Sequence, residues 1–307
     1  MSKAVIYERY GDVDVLEVVD VPKPVPGPGQ LLVRVKAAGI NPGEAKIRQG
    51  MLADRWPATF PSGQGSDLAG IVEELGPEST GGWTEGDEVI GFTNTRSSQA
   101  EMALVESNDV VRKPPGVPWE VGGALFVAGT TAFATVEAVS LNPRDTVVVS
   151  AAAGGVGSLA VQLATMKGAT VVGIASEANH DWLRKHAVIP VTYGDGLIDR
   201  IRATVPHVDA FIDTFGADYV ETALALGVQP ARIDTIANFS AAERYGVKTD
   251  GNAVGGTAEI LGRLAQLVAD GSLEVPIAHT YPLEQVRDAY RELEKGHLLG
   301  KIVLMPS

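Results

Sequence analysis

A two-domain α/β protein is the architecture this sequence predicts, and three observations predict it. The first is a run from Thr146 to Ala164 that reads as an apolar strand, a tight small-residue turn and a helix. The second is the alternation, from about Trp119 onward, of β-branched apolar runs with helical patterns. The third is the contrasting character of residues 1 to about 115, where short strand candidates are punctuated by glycine and proline. Alternating strands and helices imply a doubly wound parallel sheet, and frequent short strands with turn signals imply a compact barrel-like unit.

The elements follow in order. Ala4–Tyr7, Leu16–Val21 and Gln30–Ala37 are strand candidates, and Pro22–Gly29 between the last two can be neither helix nor central strand. Asp67–Leu75 and Asp87–Phe92 continue the β region. Beyond Trp119 the strands are Val147–Val149, Thr170–Ile174, Ala210–Asp213 and Arg232–Ile236. A helix over Gly256–Asp270, a strand Ile277–Tyr281, a helix Leu283–Glu294 and a strand Gly300–Leu304 close the chain. The last strand is expected to return to the first domain. That gives a discontinuous β-barrel domain over 1–118 and 277–307, with a nucleotide-binding domain over 119–276.

Composition narrows the function. The 307 residues are 45% hydrophobic and 21% charged, a globular balance with room for two cores. A net charge of −13 disfavours nucleic acid and anionic membrane surfaces. With no cysteine there is no disulfide, thiolate nucleophile or cysteine-based zinc site. No secretory leader or membrane-length apolar run is present, so a cytoplasmic location is expected.

The turn Ala152–Gly157 has the pattern A-x-G-x-x-G between strand and helix. Here Gly154 lets the backbone approach a pyrophosphate and Gly157 lets the helix pack on its strand. The helix N-terminus supplies N–H groups and the positive end of its dipole. Ala153, Gly154, Gly155, Val156 and Gly157 are therefore the expected phosphate contacts of a nicotinamide dinucleotide.

NAD selectivity in such a fold comes from an acid closing the second strand, and that position is Ala175. Ser176 can donate to a 2′-phosphate, with Asn179, His180 and Arg184 close behind, so NADPH is preferred over NADH. Glu177 is the discordant residue, suited to an NAD ribose or to solvent. The histidines show no H-x-x-x-H or H-E-x-x-H spacing, and the turn lacks the G-x-S-x-G of a serine hydrolase.

Six segments carry a resemblance: Ala38–Glu44, Gly65–Val72, Val127–Ala132, Ala153–Gly157, Val208–Gly216 and Gly296–Val303. By these the chain resembles the medium-chain dehydrogenase/reductase superfamily, and within it the zinc-free quinone oxidoreductases, the zeta-crystallin-like enzymes. The resemblance implies a GroES-like barrel and a Rossmann domain with NADPH in the cleft between them. It also implies a homodimer formed by pairing of Rossmann sheet edges. Zinc-dependent members place a cysteine where Asn41 stands and a histidine where Ser66 stands; neither replacement is a good zinc ligand. No zinc is expected. Without a Lewis acid, the chemistry left is hydride delivery to an electron-poor acceptor, a quinone or an α,β-unsaturated carbonyl.

Asn41 is expected at the nicotinamide and substrate pocket, where it donates to a carbonyl or positions the carboxamide, or else simply caps the turn before Pro42. Glu44 and Lys46 follow on the same lip, and Lys46 is the candidate to orient substrate or donate a proton. Asp67 is expected to pair with a cation such as Arg48. The resemblance also brings Thr131 to the nicotinamide and Tyr193 to the adenosine phosphate, each with a plain packing role as the alternative. Phe239, expected at a strand end, either covers the nicotinamide or packs in the core. Substrate choice is expected from Met51–Phe60, with Trp56 and Phe60, and from the loop Glu243–Gly255. Two further readings stand beside quinone reduction: an alkenal or enone double-bond reductase, and a non-catalytic NADPH-binding protein of crystallin type.

Overall fold

The computed structural model describes residues 1–252 and 256–307. The chain divides into two compact units, the first comprising 1–127, 257–296 and 301–307, the second 128–256 and 297–300. The expected boundaries at 118 and 277 differ from these. Helical periodicity identifies a helix without naming its partner, and the helix expected over 256–270, like the short helix starting at Trp119, packs on β strands of the first unit, as described below.

The first unit opens with β1 (Ser2–Tyr7), β2 (Glu17–Val21) and β3 (Gln30–Gly39). The proline-rich 22–29 stretch between β2 and β3 forms no regular element, because proline fixes φ and withholds an N–H. Helix α1 (Pro42–Arg48) follows, then β4 (Ser62–Gly63), β5 (Asp67–Leu75), β6 (Glu88–Phe92), β7 (Met102–Glu106), β8 (Val110–Arg112) and α2 (Trp119–Gly122). Strand β3 pairs antiparallel with both β5 and β7, which explains why it is buried along nearly its whole length. Its apolar side chains Leu31, Val33 and Val35 meet Leu68, Val72 and Val89 in the core of this sheet.

The second unit begins within α3 (Phe126–Ala138) and continues with β9 (Thr146–Val149), α4 (Gly157–Met166), β10 (Thr170–Ala175), α5 (His180–Lys185), β11 (Ile189–Thr192) and α6 (Leu197–Thr204). It ends with β12 (Ala210–Asp213), α7 (Tyr219–Ala225), β13 (Ile233–Thr235) and α8 (Phe239–Tyr245). The five strands are all parallel, in the order β11-β10-β9-β12-β13. Each of β9 and β12 is buried at every position, the pattern of a parallel strand covered on both faces. Strand order reverses between β9 and β12, and ligands of open parallel sheets bind beyond the carboxyl ends at such a switch point.

The chain returns to the first unit with α9 (Ala258–Ala269), β14 (Ile277–Pro282), α10 (Val286–Lys295) and β15 (Lys301–Met305). Helix α9 packs on β8, and α2 packs on β3 and β5, which assigns 119–127 and 257–276 to this unit. Strand β15 pairs antiparallel with β3 and parallel with β14.

The outer edge of β13 is covered by the segment after α8. Thr235 N donates to Lys248 O at 2.9 Å and Lys248 N to Ile233 O at 2.9 Å. Asp250 N donates to Asp234 Oδ1 at 2.7 Å, while Asp234 Oδ2 is buried with no hydrogen-bond partner. Burial raises the Asp234 carboxyl to about 6. In the unfolded chain the same carboxyl titrates at about 3.9. The ionised form therefore costs stability above pH 6, and the cost disappears toward pH 4 as the folded state takes up its proton. Asp234→Asn is expected to raise stability by about 2 kcal/mol at pH 8, with the gain shrinking toward pH 5 in thermal melts.

Candidate functional site

In the second unit, the loop 150–156 joins β9 to α4. Ala151 sits at φ +43°, a left-handed conformation that a side chain makes costly, at about 1–2 kcal/mol. Strain of this kind persists where the surroundings impose it, often at a ligand-binding turn. The turn is held from both sides: Ala152 N donates to Ile174 O at 2.9 Å and Gly154 N to Ala151 O at 2.8 Å. A Cβ on Gly157 would lie 2.2 Å from Ala151 O, so only glycine lets α4 start this close to its strand. In the first turn of α4, Ser158 N donates to Gly154 O at 2.9 Å and Leu159 N and Ala160 N to Val156 O at 3.1 and 2.9 Å, so these groups close the turn itself, while the positive end of the helix dipole still lies there. Ala153–Gly157 thus lie together just beyond the carboxyl end of β9.

Other expected cofactor residues lie on the same unit. Ala175 ends β10, and Ser176 caps the following turn of 177–179, its Oγ accepting from Asn179 Nδ2 at 3.3 Å. His180 opens α5. Arg184 is exposed on that helix in an ion pair of 2.7 Å with Asp181. Tyr193 is exposed beyond β11, stacked on His297 with ring centroids 6.0 Å apart and its hydroxyl 3.2 Å from His297 Nδ1. Arg200 fixes the backbone of this turn, donating to the carbonyls of Thr192, Tyr193 and Gly194 at 2.9–3.1 Å. Thr131 is half-buried inside α3. Phe239 does not end a strand: β13 stops at Thr235 and Phe239 is the first residue of α8, because Asn238 Oδ1 accepts from Ala241 N at 3.0 Å and starts a helix. Of the expected specificity loop Glu243–Gly255, residues 253–255 lie outside the described residues.

The first unit holds a buried polar cluster at the start of α1. Asn41 is the helix N-cap, and Glu44, three residues on, accepts from Asn41 N at 3.1 Å. Glu44 lies buried under the helix rather than on an exposed lip. Five donors converge on its carboxylate: Asn41 N, Asn41 Nδ2, Ser66 N, Gln99 Nε2 and Tyr290 OH. Tyr290 OH in turn accepts from Gln64 and Gln99, each at 2.8 Å. Asp67, also buried, accepts from Val127 N at 2.9 Å and from Asn41 Nδ2 at 3.1 Å.

The cation beside Asp67 is Lys301, not Arg48. Lys301 Nζ lies 3.9 Å from Asp67 Oδ2 and donates to Ile40 O at 2.9 Å and to Asn41 Oδ1. Arg48 is wholly buried, paired with Glu294 at 3.0 Å and stacked over the Tyr290 ring at 4.8 Å. Sequence spacing favoured Arg48 because it is near Asn41 in the chain; β15, paired with β3, instead brings a residue 260 positions away.

Burial pushes the Glu44 and Asp67 carboxyls up, with the Asp67 charge adding to the effect on Glu44; the donors around each and Lys301 oppose it. Burial likewise pulls Lys301 down against the two carboxylates, and burial beside Glu44 holds the Tyr290 phenol well above its usual value. Both Asn41 Nδ2 hydrogens are spent on Glu44 and Asp67, and its Oδ1 faces the ammonium. The amide has no hydrogen left for a substrate carbonyl. Lys46 is exposed on α1 and takes no part in the cluster's hydrogen bonds.

Lys301, Tyr290, Gln64 and Gln99 were not read as site residues. Gly300-Lys301 lies inside a segment that carried the resemblance, but a lysine opening an apolar strand gives no sign of its partners.

Two family descriptions match the chain: alcohol dehydrogenase GroES-like domain over residues 27–132 and zinc-binding dehydrogenase over 186–304. A quinone oxidoreductase of Pseudomonas aeruginosa is 27% identical over 330 residues, covering 100% of this chain and 100% of its own. A region of polyketide synthase GfsB of Streptomyces halstedii is 29% identical over 289 residues, covering 90% of this chain but only 5% of the synthase. Among solved structures, a quinone oxidoreductase of Escherichia coli complexed with NADPH has a TM-score of 0.88 and 24% identity, covering 99% of this chain and 100% of its own. The chain belongs to the medium-chain dehydrogenase/reductase superfamily. Within it, its place is the quinone-oxidoreductase branch.

The zinc in one family description can be tested against the donors present. Among the described residues there is no group of three or more His, Cys, Asp or Glu side chains able to hold a metal ion. At Asn41 and Asp67 the chain's own ammonium already faces the oxygen atoms a metal would need, and Glu44 is saturated by donors. This donor set does not fit zinc. Lys301→Met leaves Asp67 buried without its cation and is expected to cost about 3–5 kcal/mol, read as a fall in the urea midpoint.

Proposed function

We propose that the protein is a zinc-independent, NADPH-dependent oxidoreductase that reduces a quinone-type acceptor. The observation that carries this reading is the strained β9–α4 turn with its obligatory glycine at 157, placed at the switch point of a parallel sheet, where ligands of such sheets bind. The reduced nicotinamide supplies a hydride when bound, and a quinone accepting it takes one further proton to become the hydroquinone. Ala153–Gly157 hold the pyrophosphate. With Ala175 in place of the usual acid, Ser176, His180 and Arg184 favour a 2′-phosphate, and Tyr193 lies toward the adenosine phosphate. Thr131 and Phe239 are assigned to the nicotinamide end.

On the first unit, Asn41 is a positioning amide, immobilised by Lys301, Glu44 and Asp67. Lys46 is the exposed donor assigned to orient the acceptor or protonate it. The cluster provides no Lewis acid for an alkoxide, which favours an acceptor that is already electron-poor. A homodimer in the cytoplasm, with a small-molecule substrate and no nucleic-acid partner, completes the reading. Lys248 occupies the outer edge of β13, so subunit pairing there would involve the 246–248 segment and not β13 itself.

The test follows oxidation of NADPH and NADH in parallel with an ortho-quinone, a para-quinone, a 2-alkenal and a cyclic enone. Preferential NADPH use with quinones is expected. Preference for the enone or alkenal would replace the acceptor with an activated double bond, and binding without turnover would remove the protein from the enzymes. Gly154→Asp is expected to abolish NADPH binding through clash and charge, and unchanged affinity would contradict the cradle. Ser176→Ala is expected to weaken NADPH binding more than NADH binding, by about 1 kcal/mol, in fluorescence titrations.

A further inference from the structure

We infer that Asp213 is a positioning residue that aligns the loops after β12 and β13, which receive the nicotinamide half of the cofactor, against the start of the turn after β9, an inference that rests on the reading under Proposed function. Asp213 is the last residue of β12 and has no solvent exposure. Its Oδ1 accepts from Ser150 Oγ at 2.7 Å, Phe215 N at 3.0 Å and Gly216 N at 2.9 Å. Its Oδ2 accepts from Thr235 Oγ1 at 2.7 Å. All four donors are neutral, and they come from three strand ends: Ser150 after β9, Phe215 and Gly216 after β12, and Thr235 at the end of β13.

The contacts spread outward from these donors. Ser150 Oγ also accepts from Thr214 N at 2.9 Å, and Thr214 Oγ1 donates to Ser150 O at 2.6 Å, which ties the loop after β9 to the loop after β12. Thr235 Oγ1 accepts from Asn238 N at 3.1 Å and from Ala237 N at 3.3 Å, which ties in the loop after β13. One buried carboxylate thus sets the register of three loops at the carboxyl edge of the sheet. On the middle loop, Phe215 is 62% exposed, an apolar ring at the edge where a ligand would lie.

The direction of the cofactor follows from topology. The pyrophosphate lies at the β9–α4 turn, and the adenosine ribose is read at the end of β10. The other half must extend the opposite way across the switch point, over β12 and β13. The Asp213 network spans those two strands and β9, and no part of it reaches β10. Its loss should therefore affect one half of the cofactor and spare the other.

Asp213→Asn replaces an acceptor-only group by one whose NH2 faces donors. It is tested by calorimetry with NADPH and with the adenosine-half probes ADP and 2′,5′-ADP, and by the emission of bound NADPH, which reports the surroundings of the nicotinamide. The expected result is an NADPH Kd about tenfold higher and a reduced emission shift, with ADP and 2′,5′-ADP affinities unchanged within about twofold. Thr235→Val is expected to show the same pattern more weakly, and Thr235→Ser to restore it, which keeps the test decisive if Asp213→Asn does not fold. Equal losses for both halves, or unchanged NADPH binding, in folded variants would overturn the positioning role alone. Failure of the wild-type chain to bind NADPH or either adenosine probe would overturn the cofactor reading, and this inference with it.

Discussion

A carboxylate taken out of water must be given hydrogen-bond donors or a cation, because an uncompensated buried charge costs several kcal/mol. Both units of this protein are arranged around that requirement. In the first, Glu44 is met by five donors and Asp67 by two donors and the Lys301 ammonium. In the second, Asp213 is met by four neutral donors and no cation. These groups hold backbone as well as side chains, so satisfying the charge and fixing the loops are one event.

The two solutions differ in their chemical consequence. Around Asn41 the Lys301 amino group is built in through β15, and the amide is locked with its oxygen toward Lys301 and its hydrogens toward the two carboxylates. That arrangement leaves nothing for a metal to coordinate and makes the region electrostatically self-contained. Around Asp213 the carboxylate is met by hydroxyl and backbone N–H donors instead. Hydride transfer to an electron-poor acceptor makes few further demands on a protein beyond orientation and exclusion of water.

Much of this was legible in the chain itself. The glycine turn, with a β-branched run before it and a small-residue helix after it, has the expected strand, turn and helix in the structure. Strands β9, β10, β12 and β13 of the second unit were readable from their β-branched apolar runs, whereas β11, which is short and holds Pro190, was not among the strands expected. What stayed hidden were contacts made through topology. Lys301 and Asn41 are far apart in sequence and meet only because β15 pairs with β3, so spacing pointed to Arg48 instead. Glu44 read as a surface acid because its five donors come from four other residues, three of them distant in sequence. Helix α9 was recognisable as a helix, but periodicity did not disclose which sheet it covers. Phe239 was assigned to a strand end because the capping function of Asn238 went unread.

The central claim is that the chain binds NADPH and reduces its acceptor without a metal. The most direct test measures quinone-dependent NADPH oxidation by the purified protein before and after exhaustive treatment with a strong chelator, and again after zinc is added. The account predicts the same rate in all three states, with NADPH used in preference to NADH. Activity that is lost to the chelator and restored by zinc would contradict it.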